Sequence, residues 1–151
     1  MPKLVILAVC EKVLVERSGL PSLINIFQRM NVNLQDAPLP ENAISPARWA
    51  IFSLWQHDPS EFGVQFVQKL AVIKPNGEIF SEATTPFKIT EADDLQSKNH
   101  TDVFGLPIND EGFICVRVWL DGVEDSAAEY RFYVKHVKKE PHEQASTAAI
   151  N

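Results

Sequence analysis

Hydrophobic and polar residues alternate along most of this chain, most clearly between Gly112 and Lys135. Ile114, Val116, Val118 and Leu120 recur at every second position, and so do Tyr130, Phe132 and Val134. That period puts alternate side chains on one buried face of a strand. The two runs lie on either side of Asp121-Gly122. They predict an antiparallel hairpin whose apolar face other strands must cover.

The same pattern extends through the rest of the sequence. A first strand is expected over Lys3–Val15, with a turn at Arg17-Ser18-Gly19 and a return strand from Leu23 to about Leu34. Pro38, Pro40 and Pro46 then exclude helix and central strand, so this segment is read as a crossover from one sheet to the other. Ala47–His57 carries bulk on both faces, with Trp49, Ile51 and Trp55 on one and Ala50, Phe52 and Leu54 on the other. It is expected to be a central strand. Val64–Lys74 follows, with Gln68 interrupting its apolar face, and Asn76-Gly77 makes a tight turn. Glu78–Ile89 returns with Pro86 in it, which limits that strand to an edge or a bulge. Thr90–Asn99 reads as a solvated loop and His100–Ile108 as a short strand. The alternation stops after Val137, and 139–151 is expected to be a disordered tail behind a single domain over 1–138. The total of about eight antiparallel strands predicts an all-β protein built as a two-sheet sandwich.

The order of these motifs resembles that of a family of small bacterial β-sandwich proteins known only as a domain of unknown function. The resemblance rests on the Ser-Gly turn before Leu23-Ile24-Asn25-Ile26-Phe27, the Pro-rich crossover and the Ala47–Leu54 strand. It continues through Lys74-Pro75-Asn76-Gly77, Pro86-Phe87 and Gly112 leading to Leu120-Asp121-Gly122. Relatives commonly carry Gly in place of Asn25 and Pro-Asp-Gly or Glu-Asp-Gly in place of Pro75-Asn76-Gly77. The likeness spans about Leu4–Val137. It implies an immunoglobulin-like fold in a cytoplasmic bacterial or phage setting and brings no activity, cofactor or catalytic residue with it.

Charge narrows the function classes. A net charge of -6 argues against general affinity for nucleic acid or for an anionic membrane surface. Leu4–Cys10 is apolar but short, and it runs into Glu11-Lys12 without a small-residue cleavage site, so it reads as a strand rather than a signal peptide. Asn99-His100-Thr101 fits a glycosylation sequon that has no meaning without secretion. Cys10 and Cys115 are too few for a disulfide framework and are expected as free thiols, although a bridge between adjacent strands stays open.

Candidate chemistry is sparse. His57, His100, His136 and His142 have neither His-x-His nor His-x-x-x-His spacing, and the cysteines form no Cys-x-x-Cys, so no metal ligands and no cofactor are assigned. No catalytic residue is assigned either, because Gly-x-Ser-x-Gly and phosphate-cradling glycine loops are missing. A rival reading is a ligand-binding or metal-dependent sandwich enzyme using His57 with Asp58, His100 with Asp102, or the acidic loops Glu91–Asp94, Asn109–Glu111 and Asp121–Asp125. The aromatic pattern is more informative. Phe113, Arg117 and Trp119 point away from the Ile114–Leu120 face, as do Arg131 and Tyr133 on the partner strand. Either a loop or the tail covers them, or they form a contact surface for a protein partner or a second copy, since Trp, Tyr and Arg favour binding hot spots.

Overall fold

A computed structural model describes residues 1–35 and 37–138; the expected tail at 139–151 lies outside the described residues. Nine strands appear among them: β1 (Lys3–Val15), β2 (Pro21–Ile26), β3 (Arg29–Leu34), β4 (Ile44–Gln56), β5 (Phe66–Ile73), β6 (Ile79–Phe87), β7 (Gln96–Pro107), β8 (Gly112–Leu120) and β9 (Val123–Lys138). One sheet has the order β2-β1-β4-β7 and the other β3-β9-β8-β5-β6. The protein is all-β, with two sheets around one core.

The core forms where the inward residues of both sheets meet. Val9, Trp49, Ile51, Trp55 and Val103 of the first sheet join Leu70, Val72, Ile114, Val116, Val118, Phe132 and Val134 of the second in one buried cluster. Phe27, Trp49 and Phe132 lie at its centre. The Trp49 and Phe132 rings are 5.8 Å apart, close to perpendicular, the arrangement that ring quadrupoles favour. The Trp49 indole N–H donates to the Gly105 carbonyl at 2.9 Å. Gly105 has φ +90, and a Cβ there would lie 2.8 Å from Ile44 Cγ2, so only glycine fits this close approach.

Three expectations change. The predicted single strand Leu23–Leu34 is two strands in different sheets. The Phe27 N–H donates to Val9 O at 2.8 Å in the first sheet, while Gln28 O accepts from Tyr133 N–H at 3.1 Å in the second. The chain thus crosses from sheet to sheet within two residues, after Asn25 at φ 53 leaves the extended conformation. Not every pairing is antiparallel either, because β3 runs parallel to β9 from Arg29↔Tyr133 to Leu34↔Lys138. The third change is the length of β7, which begins at Gln96 inside the expected loop and pairs along β4 as far as Gln56. Lys98 and His100 are exposed on alternate positions while Ser97 is buried. Polar composition therefore hid a half-solvated edge strand.

Other expectations hold. β4 is central, with Ala50, Phe52 and Leu54 buried as well as Trp49, Ile51 and Trp55. Pro86 lies on β6, an edge strand, opposite Val67. The Pro-rich segment joins β3 of one sheet to β4 of the other, as expected, but Pro46 does not exclude central strand: it lies inside β4, at the register shift between Ser45 and Arg48, where a bulge tolerates proline. Cys10 on β1 and Cys115 on β8 belong to different sheets and are free thiols.

Candidate functional site

The register of the second sheet assembles the predicted contact residues on its outer face. Phe113 pairs with Tyr133, Cys115 with Arg131 and Arg117 with Glu129. Across the other side of β8, Trp119 pairs with Lys69 and Arg117 with Ala71. Facing residues share a side of the sheet, so Phe113, Arg117, Trp119, Arg131 and Tyr133 all point away from the core. Phe113 is 57% exposed, and its ring meets that of Tyr133 edge-on at 5.0 Å. The Arg117 guanidinium lies 5.7 Å from the Trp119 ring centre, in cation–π reach. Arg131 pairs with Glu129 at 2.9 Å, and Lys69 with Asp121 at 2.8 Å. The Cys115 thiol sits among these charges. Burial pushes its pKa up, and the Glu129 carboxylate adds to that, so it is a poor nucleophile at neutral pH.

The turn that aligns β8 with β9 is set by a residue outside the Asp121-Gly122 pair. Ser126 Oγ accepts from Leu120 N–H at 2.7 Å and donates to Val123 O at 2.6 Å. This hydroxyl closes the hairpin end, so β9 starts at Val123 rather than near Glu129.

Of the residues in the rival reading, His100 and Asp102 line one hollow, but His57 and His100 lie apart. His57 follows β4 and is buried, whereas His100 is exposed in the middle of β7, opposite Phe52. Among the described residues, no group of three His, Cys, Asp or Glu stands together to hold a metal ion.

His57 nonetheless anchors a polar cluster that spacing did not predict. Asp58-Pro59-Ser60-Glu61 forms one 3-10 turn with a capping box, Asp58 accepting from Ser60 N–H at 3.0 Å and Glu61 Oε2 from Asp58 N–H at 3.0 Å. This turn folds Glu61 back beneath the chain. Glu61 Oε2 then lies 3.4 Å from His57 Nδ1, and the Met1 ammonium pairs with Glu61 Oε1. On the other side of the ring, His57 Nε2 and Ser97 Oγ are 2.8 Å apart, and the Phe66 and Phe87 rings flank the imidazole at 5.6 Å and 5.7 Å. Burial lowers the His57 pKa, against the pull of Glu61. Hydroxyl, imidazole and carboxylate stand in the order of a nucleophile, its base and an orienting acid. Ser97 is only 8% exposed and His57 3%, so the cluster ties the 3-10 turn to β7 as a polar clamp inside the fold. The Asp-x-x-Glu capping box was its legible signal.

Gln68 makes a second internal clamp. Its Oε1 accepts from Ser53 Oγ and from Trp55 Nε1, both at 2.6 Å, across the gap between sheets.

No protein-family model matches the chain, and no curated protein is significantly similar to it.

Proposed function

We propose that this chain is a non-enzymatic interaction module, an immunoglobulin-like sandwich whose β5–β8–β9 outer face takes a protein partner or a second copy of itself. The observation that carries this reading is the outward aromatic cluster, in which Phe113, at 57% exposure, packs against Tyr133, with Tyr133 and Trp119 half-buried. A solvated sheet face ordinarily carries polar side chains. Here Phe, Trp and Tyr stand beside Arg117 and Arg131, a composition that suits hot spots at interfaces. The ion pairs Lys69–Asp121 and Arg131–Glu129 lie on the same face, where they would form a polar rim. The likeness to small bacterial β-sandwich proteins, carried by the order of turns and strands, fits a cytoplasmic bacterial setting for such a module.

The test is the pair of variants Phe113→Ala and Trp119→Ala, measured by sedimentation and thermal melting. Association should weaken by about 2 kcal/mol for a buried aromatic anchor, with the melting temperature nearly kept. For a wild type that sediments as a monomer, capture of a partner by wild type and variants is compared instead. A variant that melts far lower while associating as before would sink the reading.

A further inference from the structure

A different face of the molecule carries a cleft built around Arg48. Two hollows, of about 680 and 670 Å³, meet at Glu11 and Arg48, which line both. Arg48 stands where the β4–β7 register shifts, between Ser45 and Arg48. A bulge of this kind re-aims a side chain out of the regular pleat. It sets the Arg48 guanidinium 5.7 Å from the ring centre of Phe104. Phe104 is 68% exposed, and among the described residues its ring makes no aromatic pair and meets the Arg48 cation.

The charges of the cleft point the same way. Lys12 lies on the Phe104 side and Arg29 on the other. Among the described residues, none of Lys12, Arg29 and Arg48 has a carboxylate within 4.0 Å, although the chain as a whole is acidic. Glu11, the carboxylate shared by both hollows, accepts from Asn25 Nδ2 at 2.7 Å through Oε2, which occupies part of its hydrogen-bonding capacity. Asn25 itself has φ 53, a conformation that non-glycine residues seldom adopt. Asp102 and His100 also line the Phe104 side, where Lys12 and Arg48 stand against Glu11 and Asp102 with the His100 imidazole beside them. Charge alone would thus bind an anion weakly, and a ring stacked on Phe104 must add to it.

We propose that this cleft binds a small ligand bearing an anionic oxo group, carboxylate or phosphate, on a planar ring. A guanidinium stacked on an aromatic face keeps its N–H edge free for two parallel hydrogen bonds to an oxo anion. The anion sits on that edge, Lys12 adds a second positive charge, and the ring lies on Phe104.

The experiment is an NMR titration of the full chain with benzoate, phenyl phosphate, acetate and inorganic phosphate. Benzoate or phenyl phosphate should shift the Arg48 side-chain and Phe104 signals saturably. Either should bind about tenfold tighter than its ringless counterpart, and Arg48→Ala should weaken it about tenfold or more, as loss of a charged hydrogen bond does. Tighter benzoate would assign the site to carboxylates and tighter phenyl phosphate to phosphate esters. Arg48 is exposed, so the variant should fold. If it does not, Phe104→Ala must erase the preference for ringed anions. Equal binding of ringed and ringless anions, or shifts that persist in either folded variant, would overturn the assignment.

Discussion

Gln68 sits where the alternation of β5 calls for an apolar side chain, and it is 2% exposed. Its Oε1 satisfies the Ser53 hydroxyl and the Trp55 indole, and Asn99 Nδ2 approaches at 3.4 Å. Gln68→Leu would leave two buried donors, Ser53 Oγ and Trp55 Nε1, without this acceptor, at about 1–3 kcal/mol each, so chemical denaturation should record a loss of about 2–6 kcal/mol. Adding Trp55→Phe removes one orphan donor, and the pair should cost less than the two single changes together. His57 yields a second prediction at this scale. Burial lowers its pKa, so the unfolded chain, titrating near 6.5, takes up a proton that the native state resists. The contribution is complete above that pH and is lost as pH falls through it. Melts from pH 8 to 5 should show a steeper loss for the wild type than for His57→Gln; equal slopes would remove His57 from the acid response. Gln68 was legible as an interruption in the pattern, but its partners were not, because Ser53 and Trp55 belong to the facing sheet and no local period links them to β5.

The elements show the same division. Strands with one buried face, such as β8, were readable to within a residue, because period two survives whichever strand lies alongside. The outward set Phe113, Arg117, Trp119, Arg131 and Tyr133 followed from that period alone. The break between β2 and β3 was not readable, since Leu23–Leu34 contains no Pro or Gly and the chain changes sheets at Phe27-Gln28 without a loop. Its local mark is Asn25 at φ 53. Asn25→Gly should therefore stay near wild-type stability, because glycine accepts positive φ and only the Glu11 hydrogen bond is lost. Asn25→Ala should cost about 1–2 kcal/mol, the penalty of a Cβ in the left-handed region. Denaturant midpoints for the two variants give the comparison, and equal values would mean that the switch does not depend on this conformation. The parallel β3–β9 pairing was beyond reach for a related reason. It joins Arg29 to Tyr133, and nothing in either segment specifies a partner so distant in sequence.

On the scale of the whole molecule, the strand switch ties the two sheets into one unit. β2 and β3 are almost continuous, yet each closes the edge of a different sheet. Pulling either sheet apart thus strains the other through Phe27, which bonds to Val9 O and whose carbonyl accepts the Tyr130 hydroxyl. The Trp49 and Trp55 side chains lie in the shared core, and Trp55 is held from β5 by Gln68. Neither sheet has a separate core to retain, so unfolding should be a single cooperative event. Far-UV circular dichroism reads both sheets, while the fluorescence of Trp49 and Trp55, measured with Trp119→Phe to remove the signal of the outer face, reports on the space between them. The two midpoints should coincide, and dithiothreitol should leave both unchanged, because Cys10 and Cys115 are free thiols in different sheets. A fluorescence transition that precedes the loss of sheet signal would mean that the sheets separate before they unfold, and the switch at Phe27-Gln28 would then be a hinge rather than a tie.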